Sequence, residues 1–88
     1  SSSAKEPSTD RQVARWRQEY AELENTILAL EGELDLVTEK MAQPEVYADG
    51  ALIRETSLRH RAIVDELEEL YQRWEGLLEQ MESRNLTL

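Results

Sequence analysis

The sequence predicts an all-α protein, a two-helix antiparallel coiled-coil hairpin. Apolar residues recur at alternating spacings of three and four along two long stretches. A short segment containing Pro44 separates them. The chain has 88 residues, so two heptad helices of similar length joined by a short turn must pack against each other in opposite directions. A chain of this size is near the lower limit for an independent core.

Residues 1–8, SSSAKEPS, are small and polar and read as a flexible linker. Residues 9–84 are assigned to the hairpin. Thr9 and Gln12 stand at capping-box spacing, with Thr9 as N-cap, and Asp10 suits the positive end of a helix. The first seam is Val13, Trp16, Tyr20, Leu23, Ile27, Leu30, Leu34, Val37 and Met41, with Val13 at position a and Trp16 at d. The first helix is therefore expected over about residues 10–42, roughly 50 Å at 1.5 Å per residue. Pro44 disfavours helical geometry at Gln43 and ends it.

Residues 43–49 form the expected turn, with Pro44, Tyr47 and Asp49 as its marked positions. Val46 and Tyr47 are too apolar for a solvated loop and are expected to fold over the end of the coil. Asp49 is the expected N-cap of the second helix. The second seam is Ile53, Thr56, His60, Ile63, Leu67, Leu70, Trp74, Leu77 and Met81, giving a helix over about residues 50–84. Asn85 acts as a stop signal, and residues 85–88 form a tail. The core is assigned to Trp16, Tyr20, Leu23, Ile27, Leu30, Ile63, Leu67, Leu70 and Trp74.

In an antiparallel pair the facing residue numbers sum to a constant, and 90 and 97 both fit a short turn. A sum of 90 places Trp16 opposite Trp74 and Tyr20 opposite Leu70. It also sets Glu33 against Arg59, Glu19 against Arg73 and Arg17 against Tyr71, the last a cation–π contact. A sum of 97 opposes Glu33 to Glu66 and Lys40 to Arg59. The charges favour 90, although each exposed pair contributes only tenths of a kcal/mol.

Composition removes several function classes. The chain has no Cys and one His, which leaves no disulfide framework, thiolate zinc site or His cluster. No apolar run approaches the ~20 residues of a membrane span, and a cytoplasmic location is the default reading. No phosphate-binding loop is present, no nucleophile and base converge, and no cofactor is expected in this segment. The chain is expected not to be an enzyme. Neighbouring acids such as Asp65 and Glu66, or Glu68 and Glu69, point in different directions on a helix and read as a solvated face. His60 in the seam reads as a tolerated polar residue near the turn rather than a pH-sensitive contact. The Trp and Tyr residues read as core before they read as stacking platforms for bases.

The net charge is -9, which opposes strong nonspecific nucleic-acid binding. Basic residues nonetheless gather near the turn. Lys40, Arg54, Arg59 and Arg61 are therefore the candidate contacts to phosphate, acting locally and screened by salt.

Two motifs carry a resemblance. The turn Gln43-Pro44-Glu45-Val46-Tyr47-Ala48-Asp49 is close to D-P-E-x-Y-x-D, and Leu70-Tyr71-Gln72-Arg73-Trp74-Glu75-Gly76-Leu77 is close to L-Y-x-R-W-E-x-L. Together they resemble the C-terminal coiled coil of ABC-F ATPases of the Uup type. The resemblance covers about residues 10–82. It implies a non-catalytic module of a parent ATPase with two ATP-binding cassettes and no membrane domain, acting on DNA or on RNA and the ribosome. The partners it implies are nucleic acid and the ATPase domains of the same parent chain. Tyr47 and Trp74 match marked positions of the family and are read as structural. The alternative is a structural or protein–protein coil, a spacer or a dimerisation module using Leu28, Leu36, Val64 and Leu78. The hairpin itself is expected to be monomeric.

Overall fold

A computed structural model describes residues 7–84, with side chains described from Asp10 onward. The expected linker at residues 1–6 and the tail at 85–88, with the stop signal at Asn85, lie outside the described residues. Three helices follow in order: α1 Pro7–Met41, α2 Pro44–Tyr47 and α3 Gly50–Ser83. Among the described residues the structure is all helical. The molecule measures 71 × 16 × 15 Å, whereas a single helix of this many residues would be about 130 Å long.

The start of α1 differs from expectation. The helix already runs through Thr9 from Pro7, so Thr9 is not its N-cap. Proline suits a first turn because its missing N–H would be unsatisfied there in any case. The end of α1 at Met41 follows from Pro44 as expected. The turn is more ordered than a loop. Pro44 opens the one-turn helix α2, preceded by Gln43 in extended conformation at φ -85° and ψ 134°.

The contacts between α1 and α3 run in reversed order along the two helices. Trp16 clusters with Leu77 and Met81, Tyr20 lies against Trp74 with ring centroids 5.8 Å apart, and Glu33 reaches Arg59. The guanidinium of Arg84 sits 5.1 Å from the Trp16 ring centroid. Trp16 thus faces Met81 and not Trp74, and facing residue numbers sum to 97 rather than 90. That register brings Ile27 level with Leu70, Leu30 with Leu67 and Leu34 with Ile63, all members of one core cluster or packed on it.

Packing explains why charge pairing misjudged the register. A sum of 90 places two indoles in one layer and sets Thr56 and His60 against Leu34 and Leu30 in the middle of the coil. A sum of 97 separates the indoles by a layer and moves both polar residues one heptad toward the turn. Close-packed interiors penalise misplaced bulk and unpaired polar groups by kilocalories, against tenths for an exposed ion pair. Thr56 is buried, but its hydroxyl donates to the Leu52 carbonyl at 2.6 Å.

Burial is distributed differently from the nine-residue core assignment, with Val37, Leu77 and Met81 buried in addition. Ile63 and Met81 are fully buried, and Trp16, Ile27, Leu30, Leu67 and Leu70 are buried, whereas Tyr20, Leu23 and Trp74 are half-buried and pack on them.

Candidate nucleic-acid interface

The turn is held by backbone and side-chain hydrogen bonds that its sequence dictates. Asp49 is extended, and its carboxylate accepts from the backbone N–H groups of Ala51 at 3.0 Å and Leu52 at 3.1 Å. These are two of the donors that a helix start leaves unpaired. The Ala48 N–H donates to the Pro44 carbonyl at 3.0 Å and the Asp49 N–H to the Val46 carbonyl at 3.1 Å. Val46 is buried at 6% exposure, as expected, but Tyr47 is 56% exposed. The expectation that Tyr47 packs on the helix ends is therefore corrected. One residue on a helix is a rotation of about 100°, so when Val46 points inward its neighbour points away.

The four candidate cations do not form one patch. Arg59 is engaged: its Nε and Nη2 donate to one Glu33 carboxylate oxygen at 2.9 and 2.5 Å. This pair was expected for a register that the chain does not adopt. At a sum of 97 the two backbones are offset by about 7 Å along the axis, and the long side chains span it. Lys40 shares that edge of the molecule and is exposed. Arg54 and Arg61 lie elsewhere. Arg54 is five residues from Arg59, about 140° around the helix.

Arg54 and Arg61 are seven residues apart and line one hollow of about 490 Å³ together with Met41, Ser57, Leu58, His60 and Val64. Among the described residues no carboxylate lines it. Neither arginine has an ion-pair partner among the described residues. The arrangement offers an apolar floor beside two guanidinium groups whose hydrogen-bonding capacity is unspent, suited to an anionic ligand. Sequence reasoning found the arginines but missed Leu58, which is 69% exposed. Its signal was spacing: Leu58 stands four residues after Arg54 and three before Arg61, on one helix face.

The opposite edge pairs differ from expectation as well. The Tyr71 hydroxyl donates to Glu31 at 2.5 Å, not to the neighbourhood of Arg17, which lies about 21 Å further along α1. The Glu31 carboxylate, by accepting that proton and by its charge, together with partial burial, holds the Tyr71 phenol above its ordinary value. Glu19 and Arg73 do not form the expected ion pair. Both line an open groove with Glu22, Glu66 and Gly76. The Trp74 indole N–H is buried without a hydrogen-bond partner among the described residues.

Among the described residues no group of three or more His, Asp or Glu is placed to hold a metal ion, and no helix is long and apolar enough to cross a membrane.

No curated protein and no solved structure matches the chain. Residues 14–80, well over half of the chain, match the ABC transporter C-terminal domain. The matched span covers most of both long helices, the Pro44–Asp49 turn and the Leu70–Leu77 segment. The chain therefore belongs to the ABC transporter C-terminal domain family.

Proposed function

We propose that the chain is an antiparallel coiled-coil hairpin acting as the non-catalytic C-terminal interaction module of an ABC-F ATPase of the Uup type, working in the cytoplasm without a cofactor of its own. Its turn end contacts DNA or RNA, and its ATPase domains belong to the same parent chain. The observation that carries this reading is the pair Arg54 and Arg61, which among the described residues are unpartnered and flank a hollow that no carboxylate lines. Lys40 extends the contact along the other edge, while Arg59 is held by Glu33.

The overall charge of -9 makes this a local contact. Engagement of two phosphates gives a log–log salt slope of roughly -2. Titration of labelled DNA and RNA oligonucleotides by fluorescence anisotropy at low salt tests it. Binding is expected to weaken with salt and to fall at least tenfold with Arg54→Glu plus Arg61→Glu, each exposed arginine contact contributing on the order of 1 kcal/mol. Arg59→Glu is expected to have a smaller effect. Binding indifferent to the double substitution, or absent at low salt, overturns the reading.

A further inference from the structure

We propose that α3 also carries a self-complementary charge stripe through which two copies of this chain pair side by side, α3 against α3 in opposite directions. Four residues define it: Arg54, Arg61, Glu68 and Glu75. They recur every seven residues, so all four lie on one face of the helix. All four are exposed. None has an ion-pair or hydrogen-bond partner within the molecule among the described residues. The two cations come first and anions follow, Glu68 and Glu75 and then, a heptad further on near the end of α3, Glu82.

The order of the charges selects the occupant. A polyanion at the turn end engages Arg54 and Arg61 alone and leaves Glu68 and Glu75, further along the same stripe, unpaired. A partner that satisfies the whole stripe must present the reverse order. α3 of a second copy, running the opposite way, presents it: Arg54 meets Glu75 of the other copy and Arg61 meets Glu68. The symmetry repeats both pairs, so the contact is isologous and closes as a two-fold dimer. Within the stripe like charges stay apart, because Arg61 of the two copies lie about 10 Å from one another along the axis in this alignment; the exposed Asp65 beside the stripe comes nearly level with its counterpart and works against the pairing.

Apolar groups accompany the stripe. Val64 and Tyr71, on the same side of α3, lie between or beside the charges. Val64 is half-buried and also lines the hollow, whereas Tyr71 is 38% exposed. In the paired alignment Val64 lies close to the two-fold axis and Arg61 reaches the ring of Tyr71 from the other copy, a cation–π geometry. Leu58 is added at the edge of the contact. The stripe from Arg54 to Glu75 is about 32 Å long, which on one helix face corresponds to several hundred Å² per copy. That lies at the low end for specific association, so the dimer is weak and concentration-dependent.

This inference goes beyond the nucleic-acid reading and does not depend on it. The two share Arg54 and Arg61, so a paired copy masks the face that phosphates would use, and oligonucleotide and second copy compete.

Sedimentation velocity on the whole chain from about 10 to 500 µM, at low and high salt, tests the proposal. The wild type is expected to move from monomer to dimer with concentration and to shift back with salt. Arg54→Glu with Arg61→Glu is expected to raise the dissociation constant at least tenfold, as is Glu68→Arg with Glu75→Arg. The fourfold reversal restores the pairing in mirror form and is expected to return the constant to within a few-fold of the wild type. That recovery also excludes misfolding as the cause of the double-variant losses. A wild type that stays monomeric throughout, or a dimer indifferent to these substitutions, overturns the pairing. A monomer that still binds oligonucleotides through Arg54 and Arg61 overturns it while leaving the nucleic-acid reading intact.

Discussion

The middle of the seam and the turn end are built from the same heptad pattern and differ in what they bury. In the middle, Ile63 is fully buried and Leu67, Leu70, Ile27 and Leu30 close around it. At the turn end the seam carries Thr56 and His60, and Tyr47, Leu52 and Leu58 are exposed. The comparison teaches that close apolar packing and exposed apolar and cationic groups are placed at different heights along one rod. The middle holds the helices together through apolar burial. The turn end is held locally, by the Asp49 cap and the α2 turn, and is thereby able to leave apolar and cationic groups facing solvent.

Substitutions of decreasing severity sharpen this contrast. Ile63→Ala opens a cavity in the fully buried layer and is expected to destabilise by about 2–5 kcal/mol. Urea unfolding followed by helical circular dichroism reads this directly. A loss under about 1 kcal/mol would mean that the middle is not the anchor. Asp49→Ala removes two backbone hydrogen bonds at the start of α3 and is expected to cost about 1 kcal/mol. Hydrogen exchange of the Ala51 and Leu52 amides should accelerate with little change in the middle of α3.

Glu33→Arg places two cations where an ion pair stands, and a loss of several tenths of a kcal/mol is expected. Adding Arg59→Glu should recover part of it, and no recovery would show that the pair contributes nothing in solution.

The smallest effect is a pH dependence. The Tyr71 phenol titrates higher in the folded chain than in the unfolded one, because Glu31 accepts a hydrogen bond from its protonated form. Its contribution is therefore complete below the unfolded value near 10 and is lost as pH rises through the folded value. A slight fall in melting temperature in that alkaline range is expected, and Tyr71→Phe should flatten it.

Much of the architecture was legible in the sequence because it depends on periodicity. The two seams, the break at Pro44, the Asp49 cap and the buried Val46 all follow from spacing and local hydrogen-bonding chemistry. The register was not legible from charge. The Glu33–Arg59 pair suits both candidate alignments, since long side chains bridge a one-heptad slip. What separates the alignments is volume, namely whether Trp16 meets Trp74 or Met81. The start of α1 was misplaced because a capping-box spacing at Thr9 competes with a proline two residues earlier. The candidate interface was half legible. Clustering in sequence grouped Arg59 with Arg54 and Arg61, but helical rotation sends Arg59 to the opposite edge. Tyr47 was misjudged because hydrophobicity alone does not say which of two adjacent apolar residues takes the inward position.

The elongated form, 71 Å by about a quarter of that in width, makes the chain a lever. Over that length a tilt of a few degrees at the Trp16–Met81 end displaces Arg54 and Leu58 by roughly several ångströms. The same elongation makes tumbling in solution strongly anisotropic.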